Sequence, residues 1–183
     1  MRWVLPFYFA VTLSAQDPLY LSTQKKFDQI EAGSLKPHAV VQFSPTELNA
    51  WARVKVVETV QQGMRETAIQ LGAGTATGSA LVDFLKMRQA QGRETPWLIS
   101  KLIEGERPLK VEVKLASSGG QATVSVIRVE LSGTALSGRT LDFLISNFFK
   151  PLYPDAKIGE PFELGYNIDR IEVQPTIVRV VMK

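Results

Sequence analysis

Between residues 109 and 115 apolar and charged side chains alternate one for one, Leu109, Val111, Val113 and Leu115 against Lys110, Glu112 and Lys114. Successive side chains of a strand point to opposite faces, so this stretch predicts one wet face and one buried face. Residues 117–120 supply a turn, and residues 121–131 return as the second arm of a hairpin. On the return the apolar phase slips between Val126 and Ile127, which predicts either a bulge or a strand buried on both faces. Residues 67–71 and 75–84 flank Gly72-Ala73-Gly74 as an earlier hairpin. Residues 168–174 and 176–182, joined at Pro175, read as a closing one.

Helical spacing interrupts these strands. Residues 22–32 place Phe27 and Ile30 on one stripe and stop at Gly33. After a short strand over residues 40–43, Ser44-Pro45-Thr46-Glu47 combines a capping hydroxyl, a first-turn proline and a glutamate able to reach back. The helix it starts carries Leu48, Trp51 and Ala52; residues 54–60 fit helix and strand equally, so its end is open. Thr95 and Pro96 open a further short helix through Leu102 by the same logic. The most apolar helix covers residues 139–149, with Leu141, Phe143, Leu144, Ile145, Phe148 and Phe149 taking most of its circumference. Pro151 and Pro154 end it. Hairpins mixed with helices predict an α+β class with antiparallel strands.

The first residues change the picture. Arg2, an apolar run from Trp3 to Leu13 and the small pair Ser14-Ala15 form a removable signal peptide over residues 1–15, leaving one α+β domain over 16–183. The run falls short of the roughly 20 apolar residues that span a bilayer, and Pro6 interrupts it. An uncleaved anchor or a first buried strand is the alternative. A cleaved chain is periplasmic or secreted. No cysteine is present, which excludes disulfides, thiolate metal sites and a lipid-modified N-terminal cysteine. A net charge of +3, without Lys and Arg clustered among aromatics, does not favour nucleic acid, and it offers an anionic membrane only weak peripheral attraction.

Catalytic patterns are missing. His38 is the only histidine and has no Ser or Asp at triad-like spacing, so neither catalytic residues nor a metal site is expected. Gly72-x-Gly74-x-x-x-Gly78 lacks dinucleotide-loop spacing and leads into a strand, so no cofactor is expected. Asp83 and Asp142 each read as a cap or a solvated side chain, and Glu104 and Glu106 as part of a charged loop.

The positive signal is apolar. The helix over 139–149 is either a core helix under a sheet or one wall of an apolar groove for a lipid chain. The groove candidates are Leu141, Phe143, Leu144, Ile145, Phe148, Phe149 and Trp51.

A strand entering Phe43-Ser-Pro-Thr-Glu-Leu-Asn-Ala50, then a Gly-bounded hairpin ending in Leu-Val-Asp-Phe84, resembles small bacterial tubular lipid-binding (TULIP-like) proteins. The later order is similar too: Pro108-Leu-Lys-Val-Glu-Val, a Gly-Gly turn, a strand, an apolar helix, Phe162-Glu-Leu and the closing hairpin. The resemblance runs from Val40 to Met182 and rests on short motifs. It implies a curved antiparallel sheet of hairpins wrapped around a long apolar helix, binding acyl chains without catalysis. It carries over no individual functional residue. The competing expectation is a structural or adaptor domain that binds another envelope protein through a sheet edge.

Overall fold

In the computed structural model, which describes residues 17–60, 63–90, 92, 104–154 and 157–183, the first helix starts at Asp17. Its carboxylate accepts the Leu19 N–H at 2.9 Å, and Pro18 sits where no N–H is required. Helix α1 (Pro18–Glu31) therefore begins ahead of the expected Ser22, and it buries Tyr20, Thr23 and Ile30. The signal peptide over 1–15 and the helix expected over 95–102 lie outside the described residues.

Strand β1 (Val40–Phe43) feeds α2 (Pro45–Val60) through a complete capping box. The Ser44 hydroxyl accepts the Glu47 N–H at 3.2 Å, and Glu47 accepts the Ser44 N–H at 2.8 Å. Lys26 of α1 adds an ion pair at 2.5 Å to the same carboxylate, whose side chain is only 14% exposed. Burial pushes the Glu47 carboxyl up, but Lys26 and the two Ser44 donors outweigh it and hold it below its ordinary value of 4.5. A carboxyl depressed by folding adds stability above the unfolded value and loses it as pH falls through the folded one. Parent and Glu47→Gln should therefore differ fully in urea midpoint above about pH 4.5, and converge in more acid solution. A difference constant across that range would show that the ion pair contributes nothing. Ser44→Ala should cost about 1 kcal/mol.

Nine strands form two antiparallel sheets among the described residues. The larger begins β2 (Met64–Leu71), β3 (Thr75–Asp83), then β4 (Glu106–Ser118) and β5 (Gln121–Leu131). β6 (Thr134–Ala135) and β7 (Pro161–Glu163) pair with opposite ends of β5. The smaller sheet has the order β1-β9-β8, with β8 (Ile168–Gln174) and β9 (Ile177–Met182) forming the closing hairpin. Ser117 of β4 bonds both backbone groups of Ile171 in β8 at 2.8 Å, which ties the sheets together. At the outer edge of β2, the Asn49 side chain takes both the N–H and the C=O of Ile69, at 2.7 and 2.9 Å. A side-chain amide here replaces a missing neighbouring strand.

The α+β class and the antiparallel hairpins match expectation; the wrapped arrangement does not. Neither sheet is strongly curled. The apolar helix is short: α4 (Gly138–Leu144) has 7 residues and continues as a π-helical turn, Ile145–Phe149. Its polar positions explain why nothing wraps it. Asp142, Ser146 and Lys150 all face solvent, so only part of its circumference is available for burial. Pairing of β1 with β9 draws the closing hairpin into a separate sheet with its own core of Ile30, Phe43, Ile168, Val180 and Met182. Glu106 is not in a loop but opens β4, where its carboxylate grips Arg65 at 2.7 and 2.5 Å. Hydrogen bonding from Arg65 holds the Glu106 carboxyl below its ordinary value.

Three elements were not anticipated, one of them the three-residue β7. Helix α3 (Phe84–Ala90) replaces the expected strand end at Phe84. Its signal was Asp83, whose carboxylate caps the Lys86 N–H at 3.0 Å, with Phe84 and Met87 three apart facing the core. The two-residue β6 carried no apolar pattern to reveal it.

Candidate functional site

One face of the larger sheet is assembled by register. Leu109 of β4 lies opposite Ala80, Val111 opposite Gly78 and Val129, and Val113 opposite Val126. Residues directly opposite each other share a face, so these form one apolar surface. The slip seen in the sequence is a bulge, not a strand buried on both sides. The register shifts between Glu112 and Val113, leaving Ile127 as the extra residue, 52% exposed. Because Ile127 is looped out, Val126 and Val124 return to the face that Val129 occupies. The opposite face carries Lys110, Glu112, Arg128 and Glu130.

Helix α4 and the π-helical turn lie across the β4–β5 part of the apolar face. The Lys150 N–H bonds the Ile145 carbonyl at 2.8 Å, five residues back. Such π turns are rare and recur at functional sites. Asn147 bonds the Phe143 carbonyl at 2.9 Å and receives Arg88 of α3 at 3.4 Å, which fixes the turn against its neighbour. Leu141, Leu144, Ile145, Phe148 and Phe149 fall at the i, i+3, i+4, i+7, i+8 spacing of a single stripe. They do not pack flush onto the sheet. Between the stripe and the sheet is a cavity of about 250 Å³, closed further by Phe84 and Ile158. Among the described residues, only apolar atoms face it.

Five of the seven residues expected to line a groove therefore come together here. Phe143 falls off the stripe and packs instead with the core around Val82, Phe84, Met87 and Phe148. Trp51 lies apart, between α1 and α2, with its ring 4.7 Å from Phe27 and its indole N–H bonded to Gln24 at 3.1 Å. The sheet wall, above all Val111, Val113, Val124 and Val126, was not assigned to a site from sequence. Its signal was present in the alternation over 109–115, which already separated this face from the charged one.

Among the described residues no charged group borders this cavity, and the shifted titrations of Glu47 and Glu106 belong to ion pairs elsewhere. His38 stands exposed at a turn before β1 with φ 62°. Among the described residues, no group of three or more His, Cys, Asp or Glu is placed to hold a metal ion, and no helix is long and apolar enough to cross a membrane. What the cavity can do chemically is accept hydrocarbon. Its described lining offers no hydrogen bond to a polar guest, which would lose its water without compensation.

The chain matches no protein-family model, no curated protein and no solved structure.

Proposed function

We propose that this chain is a non-catalytic binding module for a lipid or acyl chain, acting outside the cytoplasm once residues 1–15 are removed. The observation that carries this reading is the cavity of about 250 Å³ between α4 and the larger sheet, faced among the described residues only by apolar atoms. The space is partly open to solvent, so its apolar walls are left facing water. A ligand chain filling it buries those walls and its own apolar surface in the same step.

Kinship with the tubular lipid-binding proteins belongs to the same proposal. Its support is the residue order from Val40 to Met182 and an apolar space between helix and antiparallel sheet. The export reading rests on Arg2, the apolar run and the small residues Ser14 and Ala15. The adaptor alternative rests on residues 125–128 of β5, which lie between the segments paired with β6 and β7. A four-residue edge broken by the Ile127 bulge offers a partner strand little ladder, so the cavity is the stronger basis.

Native mass spectrometry of protein purified from its own envelope, beside uptake of a fluorescent fatty acid, tests the reading. Bound lipid or saturable uptake is expected. A protein that carries none and takes up none is not a lipid-binding module.

A further inference from the structure

A second apolar cavity, of about 190 Å³, lies on the α2 side of the same sheet face. Ala52 and Val56 of α2 roof it, and Gly78 and Ala80 of β3 form part of its floor. Thr67 and Ser79 border it, yet among the described residues only apolar atoms face the space. The two cavities share Leu109 and Val111, so they adjoin along the inner row of β4. Neither alone reaches the roughly 300–1,000 Å³ of usual ligand sites, but together they do.

Gly78 is the unexpected residue of this floor. It sits in mid-strand, opposite Ile69 on one side and Val111 on the other, where glycine weakens a sheet. Its φ is not positive, so no turn requires it. A Cβ built there meets no atom within 4 Å, so no close backbone approach requires it either. Gly78 is exposed, so what the missing side chain leaves is an open stretch of floor, on the face that carries Val111.

Resting on the lipid-binding reading above, we infer that the two cavities form one trough for a single extended hydrocarbon chain, and that Gly78 sets how long that chain can be. A short chain occupies the larger cavity beneath α4. A longer one passes Leu109 and Val111 and lies under Gly78. The trough crosses from β5 to β2, three interstrand spacings or roughly 14 Å, which suits one extended chain rather than a compact ligand.

The test compares octanoate and palmitate binding to the purified exported protein and its Gly78→Ala and Gly78→Leu variants. Each buried methylene contributes about fourfold to affinity, so displacing two or more lowers it about tenfold or more. Gly78→Leu should weaken palmitate by that factor, leave octanoate unchanged and unfold no earlier than the parent. Gly78→Ala should fall between, and it reports the same ordering if the leucine variant does not fold. Palmitate binding that is unchanged, or weakened equally with octanoate, overturns the role of Gly78 and leaves the larger cavity's role intact. A parent that binds neither chain overturns the lipid-binding reading itself, and this inference with it.

Discussion

Leu144→Trp should abolish fatty-acid uptake while leaving the thermal midpoint close to the parent's. Leu144 is half-buried and belongs to the stripe facing the cavity of about 250 Å³. It also packs against the core of Val82, Phe84, Met87 and Phe148, but its cavity side is open, and an indole extends into that space, which a ligand needs. In a fully packed core the same enlargement would cost about 1–3 kcal/mol through displaced neighbours. Phe148→Trp provides the contrast. Phe148 also borders the cavity, but it is fully buried, with its ring edge-on to Phe84 at 4.8 Å. That substitution should lower uptake and stability together. Phe143→Trp, off the stripe, should lower stability and spare uptake. Fluorescent fatty-acid titration beside thermal unfolding reads all three. If Leu144→Trp binds as well as the parent, the ligand does not lie under α4.

The largest effect on stability is expected far from that cavity. Phe43 is 1% exposed, at the end of β1, where the smaller sheet meets both long helices. Its ring stacks on Phe27 at 4.7 Å, and the Lys26 ammonium lies 5.5 Å from its centroid. Phe43→Ala removes the ring and leaves a void among Ile30, Val180 and Met182, at an expected cost of about 3–5 kcal/mol. Urea unfolding with an unchanged slope measures this as a shifted midpoint. Ile127→Ser, on the exposed bulge, should stay within about 0.5 kcal/mol of the parent. A loss at Phe43 no greater than at Ile127 would mean the smaller sheet has no core of its own.

Local pattern carried much of this in the sequence. The alternation over 109–115 identified the sheet face that lines the site, and the phase slip marked the bulge within one residue. The Ser44–Glu47 box fixed the start of α2. Sheet partition was illegible, because it depends on β1 finding β9 across most of the chain, and apolar alternation does not name its partner. The site was legible on one wall only. Counting apolar residues on 139–149 merged the cavity-facing stripe with Phe143, whereas spacing separates them. Trp51, on the apolar stripe of α2, was counted with the site; its indole N–H instead met a partner in α1. The burial of Glu47 was illegible, since nothing in its own helix announced Lys26.

The amide of Asn49 has a consequence for self-association. A second copy of the chain approaching β2 finds the donor and acceptor of Ile69 already occupied. Nearby, Glu66 at φ 55° and the irregular register between Arg65 and Ala68 bend the edge away from a flat template. The guard, however, is carried by α2 and not by the sheet. Fraying of that helix would bare the edge of β2 while its hairpin with β3 stayed intact. Resistance to fibril formation is therefore limited by how often α2 lifts, a frequency set partly by the carboxylate of Glu47 and hence by acidity.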